Sequence, residues 1–275
     1  MIGLFDSGVG GLSVLRAIIQ SGINDDFVYF GDTKNVPYGT KTKEEILSYT
    51  REIMRFFMEN GVESAIMACN TSSALVYDEL CAEFSDRIKI YPLIQSVAPF
   101  FTDEKETIGV MATKATVKSF AYTKEIMKQN KNAKVIELEC QDFVRIVENR
   151  LYDDAGAIRY IKEKAEQLKN AGCKKVILGC THFPYLAPIL SKFAAGVEFI
   201  DPAKYLVEVV KKGLAKNGYF GVDAGAAGSA KTFSTFKFYV SKDPEGFKRS
   251  GSIFFDIKDE VRLMELQKPT LQASP

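Results

Sequence analysis

Two cysteines occupy matching settings 111 positions apart in a chain of 275 residues. Cys69 ends the run Ala65-Ile66-Met67-Ala68 and is followed by Asn70 and Thr71. Cys180 ends Val176-Ile177-Leu178-Gly179 and is followed by Thr181 and His182, the only histidine in the chain. Two thiols facing one pocket could run a symmetric reaction, one removing a proton while the other returns it. A free thiol titrates near about 8.5, so a base role needs a neighbouring group. Asp6 could serve Cys69, and His182 or Glu148 could serve Cys180. Burial as small hydrophobes is the competing reading for any cysteine. The polar residues after Cys69 and Cys180 argue against it there. Cys81 sits inside a helical stretch, and Cys140 and Cys173 lack a polar sequel, so those three read as structural.

Other polar residues gather at comparable chain positions. Ser7, Asn70, Thr71, Thr113, Thr116 and Thr181 supply neutral donors and acceptors suited to the ammonium and carboxylates of a small zwitterion. Pro37, Tyr38 and Gly39 form a further ligand-contacting loop after the second strand. The stretch Asp6-Ser7-Gly8-Val9-Gly10-Gly11-Leu12-Ser13 also suggests dinucleotide binding, with Asp32 placed to hold a ribose. Ser13 departs from that fingerprint, and Asp6 puts negative charge where a pyrophosphate would approach. The same loop could instead hold a carboxylate with backbone N–H groups. Cys69, Cys180 and His182 could supply three zinc ligands, but no fourth ligand or clustered motif accompanies them. The expectation is therefore no metal and no cofactor.

The elements that must carry these residues follow from apolar runs alternating with longer amphipathic stretches, the pattern of α/β units. Strands are predicted at 2–5, 27–30, 64–68, 88–93, 107–111, 134–138, 175–178 and 197–200. Helices are predicted at 11–21, 43–59, 72–84, 115–129, 141–150, 155–170 and 203–217. Thr42 and Glu45 form a capping box for the second helix. Gly61 and Gly172 close the helices before two strands. The strands recur: Ile2-Gly3-Leu4-Phe5 resembles Ile108-Gly109-Val110-Met111 at an offset of 106. Phe27–Phe30 matches Lys134–Glu137 at an offset of 107. A repeat this long implies two pseudo-symmetric α/β subdomains with mainly parallel sheets and the active site in the cleft between them. The expected units are 1–95 plus a returning segment 210–275, and 96–209. Both cysteines would then lie at carboxyl ends of strands, where such sheets bind ligands.

Composition removes several function classes. There are 36 basic and 35 acidic residues, a net charge of +1, which gives no electrostatic case for nucleic acid or an anionic membrane. No apolar run approaches the roughly 18 residues of a membrane span. The start Met1-Ile2-Gly3-Leu4-Phe5 is strand-like and lacks a basic region, which argues against a signal peptide. Five scattered cysteines suit reduced thiols and a cytoplasmic location better than a disulfide scaffold. A homodimer is compatible with the chain, although no interface is legible.

At these residues the chain resembles the glutamate racemases of the aspartate/glutamate racemase family. The resemblance rests on Phe5-Asp6-Ser7-Gly8-Val9-Gly10-Gly11-Leu12-Ser13, Pro37-Tyr38-Gly39-Thr40, Ala68-Cys69-Asn70-Thr71-Ser72 and Gly179-Cys180-Thr181-His182-Phe183-Pro184. Related aspartate racemases usually carry a Cys-Thr-Glu type of second motif, so His182 favours glutamate. The stretch Phe143-Val144-Arg145-Ile146-Val147-Glu148 is similar to the family segment bearing an auxiliary acid, with Arg145 in place of a usual proline. The tail Phe238-Tyr239-Val240-Ser241-Lys242-Asp243 also resembles the family, with Lys242 where glycine is common. The resemblance implies cofactor-independent interconversion of L- and D-glutamate, supplying D-glutamate for peptidoglycan. It implies that Cys69 takes the α-proton from D-glutamate and Cys180 takes it from L-glutamate. The alternatives are an aspartate or other amino-acid racemase on the same scaffold, or a non-catalytic amino-acid-binding protein with a thiol redox switch.

Overall fold

The computed structural model describes residues 1–102, 105–216 and 234–266. Among the described residues ten strands form two sheets. The first holds β1 (Ile2–Asp6), β2 (Asp26–Gly31), β3 (Ser64–Met67), β4 (Lys89–Pro92), β9 (Thr235–Val240) and β10 (Val261–Leu263). The second holds β5 (Thr107–Ala112), β6 (Val135–Glu139), β7 (Cys173–Gly179) and β8 (Glu198–Ile200). The first sheet runs β10-β9-β2-β1-β3-β4 and the second β6-β5-β7-β8. Every strand pair in both sheets is parallel. The central strands read as unbroken apolar runs because helices cover both sheet faces. β1, β3 and most of β2 are buried along their length.

The repeat is visible in the strand order. Within the first sheet β2-β1-β3-β4 repeats as β6-β5-β7-β8 in the second. Ile2–Phe5 and Ile108–Met111 are thus the equivalent central strands. Cys69 and Cys180 follow the equivalent strands β3 and β7. One apolar core joins the halves, running from Leu4, Leu15 and Ala68 to Leu178, Leu186 and Leu206.

All eight predicted strands are present, with ends shifted by at most two residues. The capping box is formed: Glu45 N–H donates to Thr42 Oγ1 at 3.2 Å, and Thr42 N–H donates to Glu45 Oε2 at 2.8 Å. Gly61 and Gly172 take φ of +72° and +82°, the left-handed geometry that ends a helix. The single helix predicted over 115–129 is instead two, Lys114–Ser119 and Ala121–Gln129, broken at Phe120 with φ +53°. Ser119 is the cause on the local scale. Its hydroxyl donates to the Thr116 carbonyl at 2.6 Å and accepts the Ala121 N–H at 3.2 Å, competing with the helical ladder. The short helices Leu93–Val97, Ala187–Phe193 and Pro244–Gly251 were not predicted, being too brief to show a period. The returning tail supplies β9, which pairs with β2 from Asp26↔Thr235 to Gly31↔Val240, and then β10. Position 210 falls inside the helix Pro202–Lys216. Residue 217 of the predicted helix, and residues 218–233 and 267–275 of the tail, lie outside the described residues.

Candidate active site

Asp6 ends β1, and its carboxylate turns back to accept the Gly8 N–H at 2.9 Å. The next glycines make a tight approach possible. A Cβ on Gly11 would lie 2.5 Å from Asp6 Cβ and 2.8 Å from the Tyr29 hydroxyl. A Cβ on Gly10 would lie 2.2 Å from Thr181 Oγ1 and 2.5 Å from His182 Cε1. The glycine-rich loop therefore admits the opposite half of the molecule, not a pyrophosphate. Ser13, the departure from the dinucleotide fingerprint, donates its hydroxyl to the Thr181 carbonyl at 3.0 Å. Asp32 is fully buried and already engaged by Asn35, Tyr38 and Ser241. The dinucleotide reading fails on both counts.

One cavity, with about 450 Å³ of atom-free space including its mouth, collects residues from both halves. The first half contributes Asp6, Ser7, Pro37, Tyr38, Gly39, Cys69, Asn70 and Thr71. The second contributes Thr113, Glu148, Cys180, Thr181 and His182. Every predicted site residue except Thr116 lines it. Thr116 is fully buried behind the wall, its hydroxyl 3.0 Å from that of Thr113 and 3.4 Å from that of Thr71. Thr71 and Thr113 hydroxyls are 3.0 Å apart, so three hydroxyls knit the two halves beside the cavity.

Four lining residues escaped the sequence reading: Gly8, Val36, Gln141 and Val144. The spacing of Gln141, Val144 and Glu148 was the available signal, because residues three and four apart share a helix face. Larger clefts exist elsewhere, one of them between the helices Asn70–Phe84 and Ala121–Gln129, but neither thiol borders it.

The two thiols have unequal neighbours. Cys69 is buried, and burial followed by the nearby Asp6 charge pushes its thiol up to about 12. Burial also raises the Asp6 carboxyl, partly offset by the positive field of His182. On the other side, Cys180 Sγ lies 3.7 Å from His182 Nδ1, and His182 Nε2 lies 2.9 Å from Glu148 Oε1. Burial alone would lower the imidazolium. The hydrogen bonds to Cys180 and Glu148 outweigh it and hold His182 up at about 10.

Asn70 opens the helix Asn70–Phe84 directly after Cys69. Tyr122 from the second half donates its hydroxyl to Asn70 Oδ1 at 2.6 Å, which fixes the amide orientation. Asn70 Nδ2 is then left buried without a partner. A buried donor without an acceptor costs about 1–3 kcal/mol, and an incoming carboxylate would recover it. Among the described residues no group of three or more His, Cys, Asp or Glu side chains is arranged to hold a metal ion. No helix among them is long and apolar enough to cross a membrane.

Comparison with known proteins agrees with this geometry. The Asp/Glu/Hydantoin racemase family matches residues 10–210. A glutamate racemase from Carboxydothermus hydrogenoformans is 35% identical over 269 residues, covering 97% of this chain and 96% of its own. One from Gloeobacter violaceus is 36% identical over 279 residues, covering 100% of this chain and 98% of its own. Among solved structures, glutamate racemase from Francisella tularensis in complex with D-glutamate superposes with a TM-score of 0.86 at 29% identity. That match covers 96% of this chain and 97% of the other. With a family match over most of its length and relatives aligned end to end, the chain belongs to the Asp/Glu/hydantoin racemase family.

Proposed function

We propose that this chain interconverts L- and D-glutamate, with Cys69 and Cys180 as the two proton-transfer groups. The observation that carries the reading is the pair of strand-end thiols, one from each half, lining one enclosed cavity. Glutamate enters with its α-carbon between them. The thiol that faces the α-hydrogen acts as thiolate and takes the proton, and the other thiol donates its proton to the opposite face. Atoms balance with the protonation states of the two sulfurs exchanged. Cys69 serves D-glutamate and Cys180 serves L-glutamate. Asp6 and His182 assist their own sides, and Glu148 orients His182 through its hydrogen bond.

Substrate binding completes the electrostatics. A thiol held near 12 is protonated at neutral pH and so is poised as an acid. The substrate ammonium, brought into a buried site, favours the thiolate and lowers that barrier to base catalysis. Asn70 Nδ2, Ser7, Thr71 and Thr181 hold the carboxylates and meet the charge that develops on the α-carboxylate. Tyr38 and Gly39 close the cavity on the first half. Thr116 acts behind Thr71 and Thr113 by fixing their hydroxyls.

The two units of the reading are residues 1–95 with the returning tail, which carry Asp6 and Cys69, and residues 96–209, which carry Cys180 and His182. The work is cytoplasmic, needs no cofactor, and supplies D-glutamate for peptidoglycan. The test is to incubate the chain with each enantiomer in D₂O, after exhaustive chelation and without pyridoxal phosphate, and separate the products by chiral chromatography. Both enantiomers should reach a one-to-one mixture carrying deuterium at Cα. Unchanged enantiomers that keep their Cα hydrogen would refute the reading. Activity lost on chelation and restored by zinc would point to metal chemistry instead.

A further inference from the structure

Tyr38 and Gly39 meet the cavity from a loop that two distant parts of the chain grip together. Asp32 follows β2 directly, and its N–H donates to the Asp6 carbonyl at 3.0 Å. Its side chain is fully buried. The carboxylate accepts from Asn35 Nδ2 at 3.0 Å on each oxygen, from the Tyr38 hydroxyl at 2.7 Å, and from the Ser241 hydroxyl at 2.6 Å. Ser241 follows β9, in the tail, and its oxygen also accepts the Lys34 N–H at 2.9 Å. The neighbouring Lys242 N–H donates to Thr33 Oγ1 at 3.0 Å, and the Thr33 hydroxyl donates back to the Lys242 carbonyl.

We propose that Asp32 is the positioning residue of the glutamate-binding loop, and that Ser241 of the returning tail holds it in that role. The inference rests on the glutamate reading above. Asp32 has no ion-pair partner among the described residues, so its buried carboxylate depends on its hydrogen-bond donors. Two of them, Asn35 and Tyr38, lie on the loop itself. Asp32 therefore constrains the loop from inside, while Ser241 and Lys242 constrain it from outside. Burial, and then the Asp32 charge, hold the Tyr38 phenol well above its usual range, so it stays a donor to that carboxylate.

Small loop errors matter because Gly39 is already tight. A Cβ there would lie 3.0 Å from Gln141 Oε1 and 3.1 Å from Thr113 Cβ, both on the opposite half. The tail motif Phe238–Asp243 thus reaches the site without touching the cavity. Its Ser241-Lys242 pair clasps the loop, and Asp243 caps the following helix by accepting the Gly246 N–H at 2.9 Å.

The experiment uses the full chain, with kcat and KM measured for both enantiomers in the parent, Asp32→Asn and Ser241→Ala. Asp32→Asn places an N–H₂ against existing donors in either amide orientation, and should raise KM about tenfold or more, with a smaller change in kcat. Ser241→Ala removes one donor and should raise KM roughly three- to fivefold, again more than it lowers kcat. A merely structural role would reduce the folded fraction, lowering kcat while leaving KM in place. That outcome, or KM within twofold of the parent in the folded variants, would overturn the inference. If Asp32→Asn does not fold, Ser241→Ala alone decides. A parent chain that does not racemise glutamate would instead defeat the underlying reading.

Discussion

Cys69 and Cys180 are topologically equivalent, yet the surroundings of the two thiols are not. Both follow the third strand of a β2-β1-β3-β4 type sheet. Cys69 shares its space with a buried carboxyl, Asp6, whose charge opposes thiolate formation. Cys180 faces an imidazole that is itself anchored by Glu148. The difference shows what an internal repeat preserves and what it leaves free. Strand order and the placement of residues at strand ends are set by the backbone, whereas the charges around each end are chosen separately. For the proposed reaction, both sulfurs must act as acid in one direction and base in the other. Unequal surroundings then predict unequal kinetic bottlenecks, not unequal equilibria.

The hardest blow to the comparison is removal of either sulfur. Cys69→Ala and Cys180→Ala should each cut racemisation by about 10⁴-fold, the upper range for one positioned acid–base group, with the fold intact by circular dichroism. Near-parental turnover in either folded variant would end the two-thiol account.

Removing the assistants should sharpen the contrast. Asp6→Asn removes the carboxylate that would take the Cys69 proton and should slow proton abstraction from D-glutamate more, and His182→Asn that from L-glutamate more, each by roughly 10²-fold. The equilibrium stays at unity because the products are enantiomers. The asymmetry is read in primary isotope effects and solvent exchange from each starting enantiomer. Equal isotope effects from both enantiomers in both variants would remove the division of labour while sparing the thiols.

The smallest effect is on stability. His182 is held at about 10 in the folded chain against an ordinary 6.5. A raised pKa contributes stability that is fully present below pH 6.5 and is lost as pH rises through 10. Glu148→Gln removes one of the bonds that hold it up. The variant should therefore have a lower urea midpoint than the parent at pH 6, and the two should converge towards pH 10. A gap that is constant across this range would show that the Glu148 contact does not depend on the His182 charge.

The order of these elements was legible in the chain because each strand is a short apolar run between turn residues. β1 through β8 all show that pattern, and the offset between Ile2–Phe5 and Ile108–Met111 exposed the repeat. β9 and β10 were harder to see, since the tail has no counterpart in the repeat and its strands join the edge of a sheet built some 200 residues earlier. The break at Phe120 was hidden because Ser119 makes a local bond that periodicity cannot register.

By itself, the sequence determined which residues could do chemistry: two thiols, an acid, a histidine and a rim of hydroxyls, each tied to a strand end by local patterning. Only the tertiary structure decided how they combine. It turned Gly10 from part of a dinucleotide fingerprint into the gap that admits Thr181 and His182, and Gly11 into the space beside Asp6 and Tyr29. It moved Thr116 behind the wall and brought Gln141 and Val144 into it. It also gave Asp32 four hydrogen bonds, one of them from Ser241, 209 residues away. The cavity contacts depend on how the two halves meet, and the Ser241 bond on where the tail returns beside β2; local propensity carries no information about either.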